Sequence, residues 1–168
     1  NYLVTDGDKI LIVNISKEID SYHHLLRKEE GFVAYFKDHQ KQVEIIKTDI
    51  TPHTDYQSIS VKLSEILKQH ADVKAIFVTN SRVFSVAQFL EKTSQEHIFL
   101  VGYDFLPESI EHLKKGVIDF LICQKPQEQG YKGIMALYQS VVLNGEVEPT
   151  YYMPIDILTK ENYKSYRN

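Results

Sequence analysis

From Lys9 to Cys123, short apolar runs rich in β-branched residues alternate with stretches in which apolar residues recur every three or four positions. The runs are too uniformly apolar for strands with one wet face, so they predict parallel strands covered on both sides. The first is Lys9 to Ile15 and the second Gln42 to Ile50, followed by Val73 to Thr79, Ile98 to Tyr103 and Asp119 to Cys123. Between the first two, a helix from about Tyr22 to His39 carries Leu25, Leu26, Phe32, Val33 and Phe36 on one stripe. The next is signalled by a cap at Thr54 or Asp55 and by Ile59, Leu63, Ile66 and Leu67 at helical spacing. Val83, Val86, Ala87 and Leu90 mark a third helix. Pro107 at a first helical position, Lys114 and Lys115 in a last turn and Gly116 beyond it frame a fourth. The longest helix opens at Pro126 and closes at Asn144-Gly145, with Tyr131, Ile134, Leu137, Tyr138, Val141 and Val142 apolar, and Tyr151 to Leu158 reads as one more strand.

Each helix connects two strands that the right-handed crossover rule places parallel, which predicts a three-layer α/β fold with a mainly parallel sheet and helices on both faces. With 168 residues and 43% hydrophobic content the chain can bury one sizeable core, so a single α/β domain spanning 1–168 is expected. The net charge of -4 and the lack of a dense Lys/Arg run argue against direct nucleic-acid binding by this segment. The single cysteine, Cys123, fits a reducing cytoplasm and, with scattered histidines, gives no zinc spacing. No apolar stretch approaches the roughly 18 residues of a membrane span, and Asn1 to Asp8 lacks the basic and apolar regions of a signal peptide. Neither metal nor cofactor nor membrane is expected as a partner.

Ligands of open parallel sheets bind beyond the carboxyl ends of the strands, and here each strand ends in polar groups. They are Ser16 and Lys17, Asp49 and Thr51, Asn80 with Ser81 and Arg82, Asp104, and Gln124. Forked Asp, Asn, Gln and Arg side chains suit vicinal hydroxyls, because one fork can engage two neighbouring groups of a sugar. Tyr103, Phe105 and Phe84 could stack on a sugar face. Singly, each polar residue is better explained by a loop start or a helix cap; five edges together favour a ligand. The chain has no G-x-G-x-x-G after the first strand, no G-x-x-x-x-G-K-[ST] and no G-x-S-x-G, and Cys123 lies in an apolar strand with no base beside it. No catalytic residue is expected. Neighbouring His23 and His24 point apart on a helix, and the Asn14-Ile15-Ser16 glycosylation pattern falls on a strand.

Four strings then occur in order: Arg27-Lys28-Glu29-Glu30-Gly31-Phe32, Phe77-Val78-Thr79-Asn80-Ser81, Leu100-Val101-Gly102-Tyr103-Asp104, and Ile122-Cys123-Gln124-Lys125-Pro126 with Gly130. Together they resemble the LacI-type transcription regulators and their periplasmic sugar-binding relatives over nearly the whole chain. The resemblance implies the second lobe of a type I periplasmic-binding-protein fold, with helix 126–145 belonging to a first lobe outside this chain. It implies a cytoplasmic homodimer that closes on a small effector, a sugar or sugar derivative, and meets operator DNA only through a headpiece also outside the chain. Asn80 and Asp104 then match effector-contacting residues, Gln124 a position near the lobe crossover, and Lys28 the place of an effector-binding Arg. Lys28 keeps that charge but loses the bidentate fork. Asp49 and Ser16 complete the expected contacts. Ser81 stands where the family commonly has Asp, and the chain has no Trp for stacking. The periplasmic relatives share the same strand-end chemistry, so a transporter or sensor-kinase module is the alternative. An apolar face like that of helix 126–145, orphaned in this chain, should repack on its own sheet, swap between copies or form a dimer.

Overall fold

The computed structural model describes residues 4–17 and 23–167. Five parallel strands form in chain order, β1 (Lys9–Ile15), β2 (Glu44–Ile50), β3 (Val73–Val78), β4 (Phe99–Tyr103) and β5 (Phe120–Cys123). The helices are α1 (His23–Asp38), α2 (Tyr56–Gln69), α3 (Val83–Lys92), α4 (Pro107–Lys115) and α5 (Pro126–Val141). A short strand, β6 (Asp156–Leu158), pairs antiparallel with β5 and completes the sheet order β2-β1-β3-β4-β5-β6. All the expected elements are present, and most differences are of one or two residues at strand ends. The start expected at Tyr22 lies outside the described residues.

Side-chain alternation along the strands divides the core into two layers. Leu11, Val13 and Ile15 face one side, where Ile59, Leu63, Val83, Val86, Leu90, Ile110 and Leu113 of α2, α3 and α4 cover them. Ile12, Phe77 and Tyr103 face the other, packed against Phe32 of α1. The Phe32 and Phe77 rings stack with centroids 4.3 Å apart. Helices therefore lie on both faces, as the uniformly apolar strands require. Asp55 caps α2, its carboxylate accepting from the Ser58 amide, and Gly116 closes α4 in the left-handed region at φ 78°.

One expectation is corrected, and another loses one of its three alternatives. The tail from Tyr151 pairs with the sheet only over Asp156–Leu158: Pro154 has no N–H to give a ladder, and Tyr151, Tyr152 and Ile155 stay exposed. The long apolar helix does not repack on its own sheet. No residue of α5 is buried, and Tyr131, Ile134, Leu137 and Val141 are all more than 60% exposed. Such a row of exposed large apolar side chains on one helix is the kind of surface that marks an interaction site. Replacing Ile134 and Leu137 together by Glu is accordingly expected to change the unfolding free energy of this chain by less than about 0.5 kcal/mol, since neither side chain packs. The same change should reduce self-association in sedimentation. A large loss of stability would place the helix against the sheet after all.

Candidate functional site

The chain reverses its direction of sheet growth at β1, which lies between β2 and β3. The carboxyl ends of β1 and β3 therefore border the crevice where open α/β sheets hold ligands. Ser16 and Lys17 leave β1 here, and Asn80, Ser81 and Arg82 leave β3. Together with Thr54 they line a pocket of about 380 Å³. A second pocket, of about 370 Å³, lies beyond the ends of β4 and β5 and is lined by Asp104, Phe105, Gln124 and Tyr166. Ser81 lines both, so the two adjoin.

Asp104 ends β4 with its amide donating to the Ile122 carbonyl at 3.0 Å and its φ at 71°, a left-handed turn that Asp tolerates better than most residues. The turn presents the carboxylate to the pocket. Gln124 Nε2 donates to one carboxylate oxygen at 3.1 Å, and the Gln124 carbonyl in turn accepts from the Gln129 amide. Asp104 and Gln124, which end different strands, thus form one unit. Asn80 is committed within the chain: its Nδ2 donates to the Ile15 carbonyl and its Oδ1 accepts from the Arg82 amide at 3.1 Å. It ties the end of β1 to the loop before α3, which sets where Ser81 and Arg82 stand.

Lys28 projects from α1 over the sheet. Its ammonium donates to the Thr79 carbonyl at 3.3 Å and lies 3.6 Å from the centre of the Tyr103 ring. Burial holds its pKa below the ordinary lysine value, and the charge of Asp104 opposes that shift. The Tyr103 hydroxyl is pushed up, mainly by burial and then by the same carboxylate. Tyr103, expected as a stacking platform, is buried with this ring face taken by Lys28, whereas Phe105 does line the second pocket and packs on Tyr166.

Asp49 belongs to a different cluster. Asn14, fully buried in β1, donates from Nδ2 to Asp49 at 2.7 Å and to Glu29 at 3.1 Å, and its Oδ1 accepts from the Thr79 hydroxyl at 2.7 Å. Glu29 also pairs with Lys47 at 2.9 Å. One amide therefore links β1, β2, β3 and α1 just below the crevice. Its mark in the sequence is a polar residue in an otherwise apolar Leu11-Ile12-Val13-Asn14-Ile15 run, the same asparagine that begins the glycosylation pattern. Full burial closes that asparagine to a glycosyl donor. Asn14→Leu is expected to cost about 1–3 kcal/mol, because it strips partners from buried groups, as urea unfolding would show. A loss near zero would mean that the cluster is dispensable.

Cys123 is buried in β5 and its thiol is pushed up to about 12, chiefly by desolvation, so it has no thiolate to offer near neutral pH. Among the described residues no three His, Cys, Asp or Glu side chains cluster as a metal site, and no helix is long and apolar enough to cross a membrane.

This arrangement, polar groups beyond the ends of a parallel sheet, meets a family profile described as periplasmic binding protein domain, which matches residues 3–146. The chain belongs to the periplasmic binding protein domain family. The ribose import binding protein RbsB of Salmonella typhimurium is 28% identical over 96 residues, which cover 56% of this chain and 31% of RbsB. The xylose/arabinose-binding protein XylF of Sulfolobus acidocaldarius is 28% identical over 97 residues, 52% of this chain and 23% of XylF. A solved protein from Bacteroides fragilis, provisionally assigned as a LacI transcriptional regulator, superposes with a TM-score of 0.86 at 31% identity, covering 96% of this chain and 55% of its own. GanP, a glucose-galactose binding protein from Geobacillus stearothermophilus, superposes with a TM-score of 0.76 at 25% identity over 92% of this chain and 55% of GanP. The chain thus spans less than a third of each of these curated relatives' length in alignment and just over half of each of these solved chains.

Proposed function

We propose that this chain is the second lobe of a two-lobed, saccharide-sensing regulator of the LacI type. The observation that carries the reading is the joined pair of pockets at the strand ends, with the Asp104 carboxylate held by Gln124 and open to a ligand. A carboxylate accepts from two adjacent hydroxyls and a primary amide both donates and accepts, which is the polar pattern a sugar ring presents. Lys28 adds a cation near Asp104, and Ser16 and Asn80 shape the adjoining wall. Asp49 acts through the Asn14 cluster by fixing the end of β2. The same groups support binding over catalysis in this reading, since their hydrogen-bonding pattern suits hydroxyls and pairs no nucleophile with a base.

In this reading a first lobe outside the chain supplies the other wall, helix 126–145 packs on that lobe, and closure on ligand shifts the population of a cytoplasmic homodimer. Operator DNA is met by a headpiece outside the chain, in keeping with the net charge of -4 and the lack of a dense Lys/Arg run here. The likeness to the Bacteroides fragilis protein over nearly the whole chain supports the regulator role. The likeness to RbsB and XylF supports a second reading, the substrate-binding lobe of an uptake system, with the same pocket chemistry.

The test is calorimetry of the intact protein against pentoses, hexoses and their derivatives, followed by DNA-binding measurements with and without the active ligand. A saccharide that binds through Asp104 and changes DNA affinity supports the regulator. Saccharide binding without any DNA affinity would move the assignment to uptake. A folded protein that binds no saccharide would remove both.

A further inference from the structure

The pocket between the ends of β1 and β3 differs in charge from its neighbour. Its wall carries two cations, Lys17 and Arg82, the hydroxyl residues Ser16, Thr54 and Ser81, and the Asn80 amide, and no carboxylate of the described residues lines it. Arg82 is half-buried and, among the described residues, forms no ion pair. One guanidinium nitrogen donates to the Thr54 carbonyl at 3.0 Å, which leaves most of its five N–H donors unspent. Its backbone is fixed as well, since the Arg82 amide donates to Asn80 Oδ1. Exposed Lys17 likewise has no carboxylate partner among the described residues, and Thr51 Oγ1 donates to its carbonyl at 2.9 Å. α3 starts directly after Arg82 with no side chain capping it, so the positive end of the helix adds to the same field. A pre-oriented, partly desolvated guanidinium with no counter-charge among the described residues gains most from an anion that completes its hydrogen bonds.

Because Ser81 lines both pockets, a single ligand can occupy them together. We infer that the Arg82 pocket takes a negatively charged substituent, a carboxylate or phosphate, of the saccharide whose hydroxyls meet Asp104 and Gln124. This rests on the saccharide reading above and narrows it to acidic sugars. Asp104 itself opposes an anion in the second pocket, which places the charge on the Arg82 side and the hydroxyls on the other.

The experiment titrates the intact protein by calorimetry with matched series of one ring configuration each: the neutral sugar, its uronate and its terminal phosphate, with inorganic phosphate as a free-anion probe. In the series that binds, one acidic member is expected to bind about ten-fold more tightly than its neutral parent. The uronate and phosphate arms identify which anion the pocket takes. Arg82→Ala should weaken the acidic ligand about ten-fold more than the neutral one, and Arg82→Lys should recover part of that difference because it keeps charge without the fork. Added salt should narrow the preference. If the neutral parent binds as tightly as both acids, and that binding is lost in Asp104→Asn, the saccharide reading stands and this inference falls. Inorganic phosphate binding with no dependence on a sugar also overturns it. A folded protein that binds no member of any series overturns both.

Discussion

Asp104→Asn is expected to weaken saccharide binding by the intact protein roughly 10- to 100-fold, the loss that follows from replacing a charged hydrogen-bond acceptor by a neutral one. The substitution isolates chemistry from folding. Asparagine accepts the left-handed conformation that Asp104 adopts at φ 71°, and its carbonyl oxygen can still accept from Gln124 Nε2. What disappears is the negative charge and the second acceptor oxygen. Asp104→Gly gives an independent reading, because it relaxes the backbone while deleting the carboxylate altogether, and it should bind more weakly still. Calorimetry measures the affinity, and thermal unfolding confirms that the variants remain folded. An unchanged affinity in both would remove Asp104 from the ligand contacts and with it the main support for the pocket assignment.

The second large effect concerns the residue that lets β4 and α3 approach. Gly102 is buried in β4, and a Cβ built there would lie closer than 3.0 Å to three side-chain carbons of Val83, itself fully buried at the start of α3. Val83 cannot step aside, because it is β-branched, held in one rotamer by the helix and enclosed by the core. Gly102→Ala is therefore expected to destabilise by about 1–3 kcal/mol or more, seen as a fall in Tm of roughly 4–10 °C. Combining it with Val83→Ala should cost less than the sum of the two single changes, since the second substitution makes the room the first requires. Simple additivity would show that the close approach is not the cause. The effect reaches the site as well. Gly102 is two residues before Asp104, so any displacement of β4 relieving the clash moves the carboxylate away from Gln124.

The same residue shows what can be read from a string alone. The Leu100-Val101-Gly102-Tyr103-Asp104 motif was legible as a strand ending in an acid, and the structure places Asp104 at the edge of a pocket. The need for glycine could not be read there, because it comes from Val83, nearly twenty positions earlier in sequence and on another element. Lys28 and Tyr103 carry a similar lesson. Their individual prominence was visible, but their contact at 3.6 Å, which takes Tyr103 out of the stacking surface, depends on how α1 lies across the sheet. Asn80 was legible as a strand-end amide, whereas its commitment to Ile15 and Arg82 appears only when β1 and β3 are side by side.

By itself the sequence determined the elements and their class. Period-two and period-3.6 patterns are local, and strands apolar on both sides leave a covered parallel sheet as the arrangement that buries them. It also determined which polar residues stand at the strand ends, because chain order and strand length fix those positions. The tertiary structure alone decided which of these residues meet. It joined Asp104 to Gln124, drew Asp49 into the Asn14 cluster, brought Lys17 and Arg82 to one pocket and left the α5 face unpacked. Each of these is a relation between elements distant in the chain, set by sheet order and helix placement, and no local periodicity encodes such a distance.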